Sequence, residues 1–257
     1  MSGVVQAQAD TIIETRGLSK DFRGFSAVSG VDLVVRKGTI HALIGPNGAG
    51  KSTMFNLLTR FLPASAGLIF FKGEDITRRD PALVAQSGMV RSFQISSTFP
   101  ALTLRENVSI ALQRPLKLAY HFWQSGQSLA GLNERADALL DAVGLTRWRD
   151  VRAADLSYGR KRALELATTL ALDPEVMLLD EPMAGLGHED IERISQLIRQ
   201  VAVGRTVLMV EHNLKVVADL SDTITVLARG KILAEGDYAT VAANPQVRSA
   251  YMGSAHA

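Results

Sequence analysis

Ile40-His41-Ala42-Leu43-Ile44 runs directly into Gly45-Pro46-Asn47-Gly48-Ala49-Gly50-Lys51-Ser52-Thr53, and this stretch decides the fold. The first five residues form an apolar run without alternation, as in a strand covered on both faces. The next nine fit G-x-x-x-x-G-K-[ST], and a helical pattern opens at Lys51 and extends to Arg60. In such a strand–loop–helix unit, backbone N–H groups turn inward on phosphate oxygens and the helix N-terminus adds its positive end. Lys51 supplies a point charge to β- and γ-phosphates, and the Ser52 hydroxyl is a ligand for Mg²⁺.

Outward from this unit, further strands are predicted at 12–15, 31–35, 68–71, 88–91, 176–180, 207–211, 223–227 and 231–235. Those at 176–180 and 207–211 share the unbroken apolar character. Helical spacing is found at 51–60, 104–112, 134–143, 159–172, 189–203 and 214–220. Strands alternating with helices predict a parallel, doubly wound α/β sheet. The N-terminal runs, broken by Gly17, Gly24, Gly30 and Gly38, read as antiparallel β. Residues 95–155 lack a buried-strand pattern and read as an inserted helical lobe in an otherwise single domain, 1–257.

Composition limits the functional classes. The chain has 257 residues, 47% apolar and 21% charged, as expected of a globular protein and not of a disordered one. It contains no cysteine, which excludes a disulfide framework, a thiolate nucleophile and Cys-ligated metal. A net charge of +2 gives little steering toward nucleic acid, and none is expected as a partner. No apolar run is long enough for a membrane span, and no secretory signal is visible at the N-terminus. The default expectation is a cytosolic chain that reaches membranes through partners.

Two further elements carry chemistry. Val176-Met177-Leu178-Leu179-Asp180-Glu181 ends a buried strand in adjacent carboxylates, at the sheet edge where α/β ligands sit. Asp180 is placed to enter the Mg²⁺ shell, and Glu181 to polarise a water for in-line attack on a γ-phosphate. Leu156-Ser157-Tyr158-Gly159-Arg160-Lys161-Arg162 opens a helix, with Ser157 as N-cap and Gly159 leaving the backbone open to an anion. The basic run lacks an apolar partner in the sequence pattern, and Arg160 is expected nearest the nucleotide.

Together these elements resemble the nucleotide-binding subunits of ATP-binding-cassette (ABC) transporters, over nearly the whole chain. Gly45–Thr53 is similar to the Walker A motif, residues 176–181 to Walker B with its catalytic glutamate, and residues 156–160 to the signature motif. Gln94, 43 residues after Lys51, matches the Q-loop glutamine, which implies roles in catalysis and as a Mg²⁺ ligand. His212, 32 residues after Asp180, matches the switch histidine that contacts the γ-phosphate. Phe22 falls where the family stacks an aromatic ring on adenine, with Phe25 close enough to compete. Tyr158 and the Ala184-Gly185-Leu186 segment resemble the subgroup that serves branched-chain amino-acid importers, although Gly187 stands where that subgroup has Asn.

The resemblance implies a P-loop α/β core with an antiparallel β lobe and an inserted helical subdomain. It implies ATP and Mg²⁺ as ligands, and two ATPase subunits that sandwich ATP between the phosphate loop of one and the signature of the other. Permease subunits would complete the importer, with an external solute-binding protein engaged indirectly. The expected location is the cytoplasmic face of the cell membrane. An exporter ATPase or a soluble ABC-type protein acting on nucleic acid is the alternative. The separation of 63 positions from Gln94 to Ser157 leaves no room for the long coiled-coil insertion of the latter.

Overall fold

The computed structural model describes residues 10–92, 98–114 and 126–252. The first half contains β1 (Thr11–Phe22), β2 (Phe25–Val31), β3 (Val34–Arg36), β4 (Ile40–Ile44), α1 (Lys51–Leu58), β5 (Ala66–Phe71) and β6 (Glu74–Asp75). Next come α2 (Pro81–Gln86), β7 (Met89–Ser92), α3 (Leu104–Gln113), α4 (Gly126–Ala142) and two short 3₁₀ turns, Thr146–Trp148 and Ala153–Asp155. After these come α5 (Tyr158–Leu170), β8 (Val176–Asp180), α6 (His188–Val201), β9 (Thr206–Val210) and α7 (Leu214–Leu220). The order closes with β10 (Thr223–Ala228), β11 (Lys231–Gly236), α8 (Tyr238–Ala243) and α9 (Pro245–Met252).

Among the described residues, a six-stranded sheet has the order β11-β10-β4-β9-β8-β7. It is parallel from β10 to β7, with β11 antiparallel on the edge. A second, antiparallel sheet has the order β2-β1-β5-β6, with β3 also on β1. The central parallel strands serve two cores. Ala42, Met177, Leu179, Val207 and Met209 pack on one face against residues of α3 to α6 such as Val108, Leu140, Leu164 and Ile194. Leu43, Leu178, Leu208 and Val210 pack on the other against Phe55 of α1 and the β lobe residues Leu18, Val28 and Ile69. Burial on both faces explains why these strands do not alternate in sequence.

The predicted strand at 31–35 is corrected to two. β2 ends at Val31 and β3 starts at Val34, and Thr15 fastens the break between them. Its hydroxyl donates to the Val31 carbonyl at 2.8 Å and accepts from the Leu33 N–H at 2.9 Å. The strand predicted at 12–15 runs on to Phe22 through register shifts between Arg16 and Ser19 and between Leu18 and Lys20. Gly17, at φ +56°, turns the chain there without ending the strand. Short α2 had no periodic signal, and Asp80 starts it by accepting from the Ala82 N–H at 2.7 Å.

One buried titratable group makes stability depend on pH. Thr225 donates its hydroxyl to Glu235 Oε2 at 2.6 Å, so that hydroxyl accepts from His41 Nε2 at 2.8 Å. Burial pushes His41 down to about 4. The unfolded chain, with its ordinary value near 6.5, takes up a proton that the folded chain refuses between those two values. Stability is therefore full above pH ~6.5 and is lost as pH falls through about 4, by about 3 kcal/mol. His41→Gln, which can still donate to Thr225, is expected to flatten the dependence of the urea midpoint on pH in that window. An unchanged acid slope would refute this assignment.

Candidate functional site

β4, β8 and β9 are adjacent and parallel, so the loops that leave their carboxyl ends meet at one edge of the sheet. From β4 the chain enters the phosphate loop and then α1. Two positions in that loop accept no side chain. A Cβ on Gly45 would stand 2.1 Å from the Leu227 carbonyl oxygen, and one on Gly50 would stand 2.4 Å from that of Ala27. Close backbone approach by β10 and β2 thus fixes the loop at both ends.

Lys51 is buried, and its ammonium donates to the carbonyls of Gly45 at 2.7 Å and Pro46 at 3.0 Å. Burial lowers its pKa, while the carboxylates of Glu181 and Asp180 pull in the opposite direction. Asn47, Gly48, Ala49, Gly50, Lys51, Ser52 and Thr53 line a concavity of about 280 Å³ together with Phe25, Ala27, Glu181 and His212. The loop, the glutamate and the histidine therefore share one pocket.

The aromatic residue that lines this pocket is Phe25, the competitor of Phe22 for the base in the sequence. The two are cross-strand partners at the β1–β2 turn. Phe22 lies with its ring 5.2 Å from the Lys20 ammonium, while the largely exposed Phe25 faces the loop. A turn placed between residues 22 and 25 could not be located from the sequence to the single residue that this choice needs.

Asp180 closes β8, and its carboxylate is buried against the Arg91 guanidinium of β7. Arg91 also donates to Asn56 Oδ1 at 2.5 Å. The second carboxylate oxygen of Asp180, Oδ1, is buried and has no hydrogen-bond partner among the described residues. An orphaned anionic oxygen next to the phosphate loop suits a hard cation. No group of three or more acidic, His or Cys side chains converges among the described residues. Such a donor set fits Mg²⁺ that brings phosphate ligands with it, as in phosphoryl transfer.

Glu181 has the left-handed φ of +49°, with its N–H held by the Val210 carbonyl at 2.9 Å. That conformation turns its side chain to His212, whose Nε2 lies 2.9 Å from Glu181 Oε1. Glu211, at the end of the strand expected over 207–211, supports both. Its buried carboxylate accepts from the Met183 N–H at 2.9 Å, the His212 N–H at 2.9 Å and the Asn213 N–H at 3.1 Å. It ties the loop after β8 to the loop after β9. The available signal was an acidic residue closing an otherwise apolar strand just before the histidine.

Ser157 and Gly159 begin α5 and do not line this pocket. Ser157 has cap geometry, φ −61° and ψ 158°, with its hydroxyl making no cap bond. The Cα of Gly159 packs on the Asp190 carboxylate, where a Cβ would approach to 2.4 Å. Arg160 has its guanidinium 4.2 Å from the centre of the Trp148 ring. The apolar partner missing from the sequence pattern comes from the preceding 3₁₀ turn. Gln94 lies outside the described residues.

Residues 28–184 match the family model of the ABC transporter. The chain is 37% identical to the high-affinity branched-chain amino acid transport ATP-binding protein BraF of Pseudomonas aeruginosa, over 95% of this chain and 98% of the relative. The chain belongs to the ABC transporter ATPases. Residues 231–257 of this ABC ATPase also match a model described as branched-chain amino acid ATP-binding cassette transporter. Among solved structures, the ADP conformation of an ATP-binding cassette superposes with a TM-score of 0.83 at 31% identity, covering 95% of this chain and 99% of that one. A dimeric post-hydrolysis cassette bound to ADP and phosphate gives a TM-score of 0.74 at 25% identity, covering 88% and 99%. The α/β cassette fold expected from the motifs is thus confirmed, and the ABC ATPase is an ATP-binding, ATP-hydrolysing transport subunit.

Proposed function

We propose that this ABC ATPase energises an importer for branched-chain or other hydrophobic amino acids or related small solutes, acting as one of two ATPase subunits. The observation that carries the site assignment is the shared pocket of the phosphate loop, Glu181 and His212, from which Ser157 and Gly159 are absent. The signature residues then belong to the site of a facing subunit. Support for the substrate class comes from the relative's name and from the match of residues 231–257.

In this reading Gly45, Pro46, Asn47, Gly48, Ala49, Gly50 and Thr53 wrap the ATP phosphates, and Phe25 stacks on the base. Lys51 moves its ammonium from two carbonyls to the β- and γ-phosphates. Ser52, Asp180 and Gln94 would hold Mg²⁺, which when bound neutralises charge on the transferring phosphate. Glu181 takes the proton of the attacking water, and His212, hydrogen-bonded to it, holds the carboxylate toward the γ-phosphate. Ser157 and the N–H groups around Gly159 close on the γ-phosphate of the facing subunit's ATP.

The whole chain acts as one ATPase domain with a helical subdomain over about 95–155. Beside it, a mostly apolar groove of about 190 Å³ runs between β7, α3 and α5, with Val90, Phe99, Ile110 and Leu172 on its walls. Exposed Phe99 suits an incoming permease helix. Among the described residues no helix is long and apolar enough to cross a membrane, so permeases would hold the subunit at the cytoplasmic face. A second ATPase subunit, identical or different, completes the pair, with an external solute-binding protein engaged through the permeases.

The test is hydrolysis as a function of assembly. The isolated subunit is expected to be a weak ATPase whose specific activity falls on dilution. Reconstitution in liposomes with its permeases and binding protein should stimulate it when leucine, isoleucine or valine is present. Full activity that persists unchanged down to nanomolar protein would overturn the two-subunit site, and stimulation by none of these amino acids would remove branched-chain amino acids from the substrate class.

A further inference from the structure

At the start of α5, Tyr158 stands between the two halves of the chemistry. Its ring packs on Gly185 in the loop that follows Glu181, where a Cβ on Gly185 would meet Tyr158 Cε1 at 3.2 Å. Gly185 has φ +75°, so the loop presents bare backbone to the ring. From the other side Arg162 fixes the ring, donating from Nη2 to the Tyr158 hydroxyl at 2.7 Å. Arg162 is itself buried and paired with buried Glu165 at 2.8 Å. Its guanidinium carbon lies 5.1 Å from the ring centre.

The loop that Tyr158 touches is short and is tied near its start, at Met183. Leu186 N–H bonds the Met183 carbonyl at 3.2 Å, and Met183 N–H bonds Glu211, which also holds the His212 backbone. A displacement of the α5 start is therefore passed by direct contact to the segment between Glu181 and α6. Next to it, Gly159 rests on Asp190 of α6, a second contact between the same two elements. Gly187, the cap of α6, makes no side-chain cap bond, so the loop lacks a side-chain anchor of its own at that end.

We propose that Tyr158 is a positioning residue that couples the two ATP sites of the assembled pair. It transmits the docking of Ser157 and Gly159 on one ATP to the loop carrying Glu181 at the other. The proposal rests on the two-subunit reading above. It gives the Tyr158 ring a defined task within its own chain. Ring carbon Cε1 lies nearest the Gly185 Cβ position at 3.2 Å, with Cζ and the hydroxyl oxygen both at 3.6 Å, so the ring edge makes the tightest part of the contact and is the part that couples.

The experiment measures ATP hydrolysis against ATP concentration in the reconstituted complex, alongside ATP binding to the isolated subunit by calorimetry. For Tyr158→Ala the Hill coefficient is expected to fall from about 2 toward 1 and kcat by about tenfold, with the affinity of the isolated subunit unchanged. Tyr158→Phe keeps the ring on Gly185 and is expected to retain the cooperativity of the parent. If Tyr158→Ala melts early, Tyr158→Leu replaces it, since it keeps apolar volume but not the flat face. Parent-like cooperativity and kcat in the folded Ala or Leu variant would overturn the proposal, as would an equal loss in Tyr158→Phe. A fall in the isolated subunit's affinity for ATP would also overturn it, because that marks a general structural role. A parent complex that is itself non-cooperative and insensitive to dilution would instead overturn the two-subunit reading.

Discussion

Glu181→Gln is expected to lower ATP hydrolysis by about two to four orders of magnitude while leaving MgATP binding within a few-fold. The substitution keeps the volume of the side chain and its reach to His212, 2.9 Å away in the parent. It removes the basicity that takes a proton from the attacking water. The phosphate loop, whose geometry is set by Gly45 and Gly50 against neighbouring carbonyls, is untouched. With chemistry blocked and binding intact, the ATP-bound pair should accumulate and elute as a dimer in size-exclusion chromatography with ATP. Single-turnover hydrolysis near the parental rate would remove Glu181 from the role of base.

Lys51→Ala is expected to act at the other end of the reaction, lowering the affinity for MgATP by about ten- to a hundredfold. The ammonium is the buried cation of the loop, and ATP offers it charged acceptors in exchange for two backbone carbonyls. Because burial already works against its charge, an anionic ligand returns more to this lysine than to an exposed one. Calorimetry of the isolated subunit gives the affinity directly. Equal binding by variant and parent would contradict the phosphate-loop assignment. The two variants thus separate: Glu181→Gln binds and does not turn over, whereas Lys51→Ala fails at binding.

Much of the parallel core was legible in the sequence because its strands are covered on both faces. Val176–Asp180 and, apart from His41, Ile40–Ile44 read as apolar runs, and they end at the residues that the motifs required. The β lobe was less legible. Its strands bend through bulges, and Thr15 pins a break that apolar counting across Val31 and Val35 could not detect. In the site, residues identified by loop chemistry were found together, whereas those whose role depends on distant packing were not. Arg160 looked free until Trp148 came under it, Phe22 and Phe25 differ by a turn, and Glu211 works by accepting three backbone N–H groups from loops that meet only in the fold.

The alternation of the central strands between two cores has a consequence for how this sequence can change. In β8, Met177 and Leu179 face one core, Leu178 the other, and Asp180 pairs with Val210 at the sheet edge. A one-residue insertion or deletion within β8 would exchange every side chain between the cores and carry the carboxylate away from the phosphate loop. The same slip that spoils packing therefore also disarms the chemistry. Length drift in this strand is filtered twice, by folding and by turnover.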